Sequence, residues 1–534
     1  MNRARSRTEL LERVSEHSEP WDMIVIGGGA TGLGVALDSA SRGFETLLLE
    51  KSDFTKGTSS RSTKLVHGGV RYLKQGQIPL VLEALKERGL LRKNAPHLVR
   101  PLRFVLPAYT WWERWFYLIG LKIYDLLARR LSLGTSKLLN REKLSEVVET
   151  LKSQGLRGGV LYYDGQMDDA RLGLALAKTA LDKGALTINY MSVERISYDQ
   201  ESDLYHLTVI DHDLGVQEEG RQLELTARNI VNATGVFVDQ LRRLEDSSAP
   251  QLVRPSQGVH LVLPKRFLPG DHAIIFPQMP DGRVLFAIPW YDRVILGTTD
   301  EFVDQASLEP VPTERECEMI LNYAKEYFDP VPQREDVLSI FAGLRPLIAP
   351  KVAENDGSSQ SASVSREHSI FFGSSGVCHI TGGKWTTYRK MSEDVLEALI
   401  NRGKLSRRPC ETESLRLVGW QESEGNITMS SVYGSELEVL ESLLSEMKDG
   451  ETLLHPNLPY RRVEALYAAR FELALTVDDV LARRTRALLL DARAAIEAAP
   501  TVAQILAEEL HRDESWIKGQ VKTFTELAQT YIWD

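Results

Sequence analysis

A glycine-rich turn near the amino terminus constrains the fold more than any other feature of the sequence. Residues 21–26 (WDMIVI) predict a short buried strand, and Gly27, Gly29 and Gly32 follow it with the spacing G-x-G-x-x-G. Small and apolar residues then predict a helix, and residues 46–50 (TLLLE) predict a second strand. A strand, a glycine turn, a helix and a second strand within about 30 residues indicate a βαβ unit and a parallel sheet.

This turn has the chemistry of a dinucleotide site. Gly27 permits the tight turn, Gly29 lets the backbone approach a pyrophosphate, and Gly32 lets the helix pack on the sheet. Free N–H groups and the helix dipole then hold the phosphates. Glu50 ends the second strand, where its carboxylate can accept hydrogen bonds from a ribose. An acidic residue at this position disfavours a 2′-phosphate, so FAD or NAD is favoured over NADP.

Two later glycine turns favour FAD over NAD. One follows the predicted strand ARNIVN, and the other precedes a predicted helix, whose amino terminus and Lys384 would bring positive charge to a reduced flavin. Each turn taken alone is also compatible with an ordinary loop, but three separated glycine turns suit a cofactor as long as FAD. The candidate cofactor-binding residues of these two turns are Ala233, Gly235, Gly382, Gly383 and Thr386.

A further segment rich in hydroxyls and glycines follows the βαβ unit. It could line an extended cofactor, because small and hydroxylic residues allow close approach and donate hydrogen bonds. Its candidate residues are Thr58, Ser59, Ser60, Lys64, His67, Gly68 and Gly69.

Composition excludes several classes of protein. The chain has 534 residues, which predicts two to four domains, and 64 Lys and Arg against 74 Asp and Glu give a net charge of −10. An acidic chain is a poor nucleic-acid binder. Cys317, Cys378 and Cys410 are widely spaced, which excludes a disulfide scaffold and a cysteine-rich metal site and fits a reducing compartment; we expect no bound metal. Residues 1–20 lack the apolar core of a signal peptide, and no apolar run predicts a membrane-spanning helix.

Several motifs occur in one order along nearly the whole chain, from about residue 21 to residue 527. They are TSSRSTKLVHGGVRYL at 58–73, NATG at 232–235, GVHLVLP at 258–264, ILGTTD at 295–300, AGLRPL at 342–347, VSREHSI at 364–370, TGGKWTTYRK at 381–390 and DDVLARRTR at 478–486. In these motifs, their order and their spacing, the chain resembles the FAD-dependent (aerobic, respiratory) glycerol-3-phosphate dehydrogenase family.

The resemblance implies an α/β fold with three parts. These are a discontinuous Rossmann-like FAD-binding domain, an inserted substrate domain built on an antiparallel sheet, and an all-α C-terminal domain. The expected divisions are 21–105, 155–255 and 340–400 for the FAD-binding domain, 106–154 for a membrane-proximal helical segment, 256–339 for the substrate-binding sheet domain, 401–430 for a linker and 431–534 for the C-terminal domain.

The resemblance also implies the reaction and its residues. The expected chemistry is oxidation of sn-glycerol 3-phosphate to dihydroxyacetone phosphate, with hydride transfer from C2 to flavin N5. A phosphate dianion requires basic residues, and Arg offers a fork geometry that suits it. His260 is the preferred base and His67 the alternative, while Arg345 and Lys384 could share the work electrostatically. By position in the family motifs, the catalytic candidates are His260, Arg345 and Lys384, and the substrate-binding candidates are Arg71, Tyr72 and Arg366.

Residues 109–130 mix aromatic and basic side chains. Trp and Tyr favour the depth of lipid headgroups, and Arg114, Lys122, Arg129 and Arg130 could meet anionic lipid. A buried helix with snorkelling arginines is the alternative. The resemblance favours docking, with the enzyme peripheral on the cytoplasmic face of the inner membrane and its electrons passed to membrane quinone; a homodimer is compatible with it.

Three other functions stay open on the residues alone. A close alternative is a glycerol-3-phosphate oxidase that passes electrons to oxygen. A second is an amine or amino-acid oxidase of the same flavoprotein superfamily, although its substrate needs one Arg and an apolar amine site rather than several basic residues. A third is a non-catalytic FAD-binding module.

Overall fold

The computed structural model describes residues 6–74, 76–212, 220–276, 284–348, 368–422, 428 and 430–534. The helices of this part are α1 (Arg7–Glu16), α2 (Ala30–Ser41), α3 (Val70–Lys74), α4 (Ile78–Asn94), α5 (Trp111–Ala128), α6 (Arg141–Val147), α7 (Asp169–Asp182), α8 (Val238–Glu245), α9 (Glu314–Tyr327), α10 (Tyr388–Asn401), α11 (Leu437–Ser442), α12 (Arg462–Phe471), α13 (Ala487–Leu490), α14 (Ala492–Leu510) and α15 (Glu514–Gln529). The strands are β1 (Met23–Ile26), β2 (Thr46–Leu49), β3 (Leu65–Val66), β4 (Val99–Ala108), β5 (Lys137–Leu139), β6 (Gly158–Met167), β7 (Leu186–Ile188), β8 (Met191–Asp199), β9 (Leu204–Asp211), β10 (Arg221–Ala227), β11 (Ile230–Asn232), β12 (Val253–Pro264), β13 (His272–Phe276), β14 (Leu285–Trp290), β15 (Arg293–Gly297), β16 (Glu301–Phe302), β17 (Ser339–Ile348), β18 (His368–Phe372), β19 (Cys378–Gly382), β20 (Leu453–His455) and β21 (Leu458–Arg461).

A parallel sheet forms around the predicted βαβ unit. Its strand order is β18-β19-β11-β1-β2-β7, and only the edge strand β18 runs antiparallel to its neighbour. Helix α2 packs against α7 and α10. Small residues permit this packing, since a Cβ added at Gly34 would lie 2.4 Å from the Ser392 hydroxyl of α10. The α/β fold predicted from the glycine turn is confirmed.

A second, larger sheet of ten strands lies beside the first. Its order is β16-β12-β15-β14-β13-β4-β6-β3, with β17 paired to β12 and β5 to β6, and apart from the parallel pair β13–β4 it is antiparallel. Strands β4 and β6 come from chain segments well before the predicted range 256–339. In this sheet His260 of β12 lies opposite Gly297 on one side and Phe341 on the other, and Arg345 lies opposite Ser256.

The amino terminus contains a helix that the sequence interpretation missed. We expected the fold to begin at Trp21, which is wrong, because α1 buries Leu10 and Val14 in the core. Arg7 of this helix donates to the Asn189 carbonyl at 3.0 Å and pairs with Asp211. Leu10 and Val14 have helical spacing, but two apolar positions in a charged segment are a weak signal.

The carboxyl-terminal region is mainly helical, as predicted, with one small hairpin formed by β20 and β21. Thr476 followed three residues later by Asp479 predicts a capping box, and it is present, since the Thr476 hydroxyl accepts from Asp479 N at 3.1 Å and Thr476 N donates to the Asp479 carboxylate at 3.0 Å. The sequence also predicts a single helix over residues 478–495, and this prediction is wrong. A π-helical turn (Asp479–Arg484), α13 and the start of α14 occupy this range, and α14 continues through Pro500.

Helix α5 forms as the aromatic segment predicted. Leu121, Tyr124 and Ala128 face the core, and the Glu113 side chain completes a capping box with Thr110. Among the described residues, no helix combines the length and the apolarity that crossing a bilayer requires.

Candidate functional site

A cavity of about 760 Å³ is lined by both sheets. This volume lies in the upper part of the range of roughly 300–1,000 Å³ that small-molecule and cofactor sites occupy. Its lining includes the glycine turn, several residues between Leu49 and His67, the turn after β11, strands β12 and β17, and the turn after β19. The three glycine turns predicted as cofactor contacts therefore meet at one place.

At the first glycine turn the backbone packs too closely to allow side chains, and their absence leaves space for a ligand. Gly27 has a φ of +111°, and a Cβ there would lie 2.7 Å from the Ala233 carbonyl. A Cβ at Gly32 would lie 1.9 Å from the Gly27 carbonyl, so Gly32 serves helix packing and does not itself line the cavity. Gly29 lines the cavity at the amino terminus of α2, the end of a helix that favours an anion.

Glu50 occupies the end of β2, as expected for a ribose contact. Its carboxylate lines the cavity and accepts from Gly28 N at 2.6 Å and from Ser52 N at 2.8 Å. Burial raises the pKa of Glu50, while these backbone donors oppose the rise. The loop therefore orients this side chain.

The segment after the βαβ unit divides between the cavity and the protein interior. Thr58, Ser59 and His67 line the cavity, and the Ser59 hydroxyl accepts from Ala30 N at 2.9 Å. Lys64 lies behind the cavity wall, fully buried, with its ammonium 2.7 Å from Asp169. Four of the predicted contacts in this segment, Ser60, Lys64, Gly68 and Gly69, do not line the cavity among the residues that the structure describes.

The surroundings of Lys64 explain its low pKa. Loss of solvation lowers the pKa of Lys64 to about 7, and the charge of Arg486 adds to this, while Asp169 opposes it. Its ammonium also donates to the Ser60 carbonyl at 2.6 Å and lies 5.3 Å from the centre of the Phe341 ring. Lys64 thus supports the wall from behind.

The two later glycine turns border the cavity as predicted. Ala233, Gly235, Gly382, Gly383 and Thr386 all line it. Lys384 follows them at the start of the turn Trp385–Thr387 and also lines the cavity, with its ammonium 4.0 Å from the centre of the Tyr72 ring. Tyr72 contacts Lys384 but does not line the cavity among the described residues.

Arg345 borders the cavity with its guanidinium held by the chain. It donates to Asp300 at 3.1 Å, to the Thr298 hydroxyl at 3.2 Å and to the Thr299 carbonyl at 3.2 Å. The sequence interpretation did not single out Thr298 or Asp300, although the motif ILGTTD contains both. Adjacent hydroxyls and a carboxylate in that motif were the available signal.

His260 lines the same cavity and is fixed on several sides. Its ring stacks on Phe341 with centroids 4.7 Å apart, and its Nε2 lies 3.0 Å from the Thr63 hydroxyl. Burial, followed by the charges of Lys64 and Arg345, lowers the pKa of His260 well below its usual value. The imidazole is therefore neutral at pH 7, so one of its ring nitrogens carries a lone pair. Thr63 is a second residue that the sequence interpretation missed.

The side chains of two predicted substrate contacts lie outside what the structure describes. Arg366 is outside the described residues, and of Arg71 only the backbone, in α3, is described. The catalytic candidates His260, Arg345 and Lys384 thus come together in one cavity.

The residues of this cavity fit FAD. The backbone at Gly27, which excludes a side chain, and at Gly29, which borders the cavity, would hold the pyrophosphate, and Glu50 at the end of β2 would hold the ribose. The turns at 233–235 and 382–386 would border the ring system, with Lys384 supplying positive charge there.

Comparison with known proteins agrees with this geometry. Residues 22–389 match the family model described as FAD dependent oxidoreductase, and residues 378–516 match the C-terminal domain of alpha-glycerophosphate oxidase. The chain is 37% identical to a mitochondrial glycerol-3-phosphate dehydrogenase of Macaca fascicularis over 95% of this chain and 73% of that protein. It is also 37% identical to one of Arabidopsis thaliana, over 99% of this chain and 89% of that protein.

Solved structures point the same way. The glycerol-3-phosphate dehydrogenase from Bacillus halodurans complexed with FAD matches with a TM-score of 0.79 and 30% identity, covering 100% of this chain and 99% of that one. The L-alpha-glycerophosphate oxidase from Mycoplasma pneumoniae, at 16% identity and a TM-score of 0.56 over 75% of this chain and 99% of that one, shares the fold. The chain therefore belongs to the FAD-dependent oxidoreductases and, within them, to the glycerol-3-phosphate dehydrogenase family.

Proposed function

We propose that this flavoenzyme oxidises sn-glycerol 3-phosphate to dihydroxyacetone phosphate and passes the electrons to membrane quinone. The observation that carries the proposal is the pair of cations, Arg345 and Lys384, that borders the same cavity as the neutral His260 and the glycine turns. A phosphate dianion and a secondary alcohol match this combination of groups. The relatives named above act, by their names, on the same substrate.

The chain's own residues divide the work of the reaction. Arg345 and Lys384 bind and orient the dianion, and their charge lowers the pKa of the neighbouring C2 hydroxyl. When bound, FAD would supply the acceptor for the hydride of C2. The C2 hydroxyl loses its proton to His260, whose Nε2 lies 3.0 Å from the Thr63 hydroxyl, and the C2–O single bond becomes the carbonyl of the product.

An exposed apolar face on α5 supports docking on a membrane. Trp111 is 75% exposed and Leu126 is 76% exposed, which is unusual for large apolar side chains. Basic residues Arg114, Lys122, Arg129 and Arg130 lie in the same segment and suit an anionic lipid surface. The other large apolar side chains of this face are Trp112, Trp115, Phe116, Ile119 and Ile123, with Ile78 and Leu82 of α4 also exposed.

The inner face of α5 contacts the cavity wall. The Tyr124 hydroxyl accepts from Gly68 N at 2.8 Å and donates to Asp164 at 2.9 Å, and His67, the residue before Gly68, lines the cavity. One helix thus separates the apolar face from the segment that borders the cofactor site. This supports electron transfer to a quinone dissolved in the bilayer rather than to a distant soluble acceptor.

Anaerobic mixing with sn-glycerol 3-phosphate tests the reaction. We expect the flavin absorbance to fall with this substrate and to persist with glycerol, which lacks the phosphate. Adding a ubiquinone analogue should restore the absorbance within the turnover time, whereas oxygen alone should act slowly. Unchanged absorbance with glycerol 3-phosphate contradicts the proposed substrate, and fast recovery with oxygen alone identifies an oxidase.

Vesicle binding tests the docking face. We expect Ile119→Asp with Leu126→Asp to lower partitioning onto vesicles containing anionic phospholipid, and neutralising Arg114, Lys122, Arg129 and Arg130 to lower it on anionic but not on neutral vesicles. Val311→Asp is the matched control, because Val311 is an exposed apolar residue outside this face. Equal partitioning of all variants favours a helix covered by protein.

A further inference from the structure

We propose that Asp300 is a positioning residue that fixes the guanidinium of Arg345 on the cavity wall for the phosphate dianion of the substrate. This inference rests on the function proposed above, and it assigns a role to a carboxylate next to the anion site.

The contacts around Asp300 form a short chain of hydrogen bonds. Its Oδ1 accepts from Arg345 Nη1 at 3.1 Å and also from the Ser256 hydroxyl. Ser256 lies directly opposite Arg345 in the pairing of β12 with β17, so both partners of Asp300 come from the sheet. A carboxylate with two donors from a paired sheet has little freedom to move.

The guanidinium is held from both of its Nη atoms. Nη1 donates to Asp300, and Nη2 donates to the Thr298 hydroxyl and the Thr299 carbonyl, each at 3.2 Å. Acceptors at both ends of a planar group fix its orientation in the plane as well as its position. The ILGTTD motif therefore acts as a cradle for Arg345.

Asp300 lies behind Arg345 as seen from the cavity. The Asp300 side chain is 7% exposed and does not line the cavity among the described residues, whereas the Arg345 side chain is 23% exposed and does. The carboxylate is thus placed to orient the cation without facing an incoming anion. Preorganising a binding group in this way reduces the entropy that ligand binding must remove.

The effect of Asp300 on anion binding differs in sign between a positioning role and a role in charge balance alone. If Asp300 only offsets the positive charge of Arg345, its neutralisation strengthens the positive field and tightens anion binding. If Asp300 positions the guanidinium, its neutralisation loosens Arg345 and weakens anion binding. The sign of the change in substrate KM therefore separates the two roles.

The test is Asp300→Asn in the FAD-loaded enzyme. We expect the KM for glycerol 3-phosphate to rise at least fivefold with kcat changed less than twofold, and the Kd for inorganic phosphate, measured by perturbation of the flavin spectrum, to rise in parallel. Asp300→Glu, which keeps the charge, should recover part of the loss. A KM and a Kd that stay unchanged or fall overturn the proposal.

Glu301→Gln is the matched control. It makes the same charge change one residue away, where Glu301 pairs with the exposed Arg315, and it should leave KM unchanged. If Asp300→Asn does not fold, Ser256→Ala removes only the hydroxyl donor to Asp300 and should raise KM about twofold; an unchanged KM there also overturns the proposal. Because phosphate binding is measured without turnover, a wild-type enzyme that binds phosphate but does not oxidise glycerol 3-phosphate contradicts the proposed function rather than the role of Asp300.

Discussion

Two groups of cations in this protein differ in how deeply they are buried. Arg483, Arg484 and Arg486 are buried in a junction between the carboxyl-terminal region and the βαβ unit, and each forms an ion pair there. The cavity cations, Arg345 and Lys384, are partly exposed, and Arg345 pairs with Asp300 on the cavity wall. Within the described part of the chain Lys384 forms no ion pair, and its nearest aromatic contact is Tyr72. The carboxylates of the junction are Asp53, Asp169, Asp478 and Asp479.

The difference separates structural charge from binding charge. A buried cation without a carboxylate costs several kcal/mol, so the junction arginines require their partners for folding. A partly exposed cation such as Lys384 keeps some hydration and tolerates the lack of a partner. It can therefore pair with an anion that arrives from solution, and Lys384 borders the cavity that such an anion would enter.

Asp53→Asn should produce the largest effect, because it breaks the junction. Asp53 is fully buried and accepts from both Arg483 and Arg484, and although burial acts the other way, these arginines hold its pKa below the usual value. Loss of the charge leaves two buried guanidinium groups undercompensated, at a cost of about 3–5 kcal/mol. This cost is measured by urea unfolding, with the release of the flavin as the signal.

Glu514→Gln is the control for this prediction. Glu514 pairs with Lys518 on the exposed face of α15, where an ion pair is worth about 0–1 kcal/mol. Similar losses in the two variants would show that burial does not distinguish the junction pairs.

Glu464→Gln tests a carboxyl of the carboxyl-terminal region that forms no ion pair among the residues that the structure describes. Glu464 accepts from Tyr433 Oη and from Arg461 N, both at 2.8 Å, and burial raises the pKa of Glu464 to about 7. Between its unfolded pKa near 4.5 and pH 7 the folded state holds the extra proton, so this group makes stability fall as pH rises through that window.

The variant removes that titration. We expect the unfolding free energy of Glu464→Gln, taken relative to that of the wild type, to increase by about 2 kcal/mol as the pH is raised from 5 to 8. A difference that does not change with pH would show that Glu464 is already ionised in the folded protein.

Arg345→Ala should act mainly on binding. We expect the KM for glycerol 3-phosphate to rise at least about tenfold, which corresponds to a loss of ~1.4 kcal/mol or more of charge-assisted hydrogen bonding. Steady-state kinetics with Arg315→Ala as the control measures it, since Arg315 is an exposed arginine paired with Glu301. Unchanged kinetic constants would remove Arg345 from the binding site.

Lys384→Met should give the smallest change in stability, in contrast to the loss of a buried junction arginine. With no ion pair to lose in the described part of the chain, only a cation–π contact of about 0.5–1 kcal/mol disappears, so Tm should change little while KM rises several-fold. Arg484→Met is the comparison variant and should unfold at a much lower temperature. A large fall in Tm for Lys384→Met would contradict the division between structural and binding cations.

Much of the cofactor site could be predicted from local sequence patterns. Gly27 and Gly29 stand where the turn requires them, because the steric demands of a strand–turn–helix unit act within a few residues. The sequence also predicts a helix over residues 513–528, and α15 agrees with it to within a residue, since Asp513 caps it and its apolar spacing is regular. The broken helix after Asp479 was not, because its π-helical turn depends on arginines that reach across to Asp53.

Sequence alone determined the fold class, the dinucleotide turn and the presence of Arg345, Lys384 and His260 in family motifs. Only the tertiary structure decided which of the predicted residues face the cavity: Thr58 does, whereas Lys64, six residues later, is turned inward to Asp169. The same holds for the partners of each cation. Asp53 and Arg484 are 431 positions apart, and a pattern of local spacing carries no information about which distant carboxylate will neutralise a buried charge.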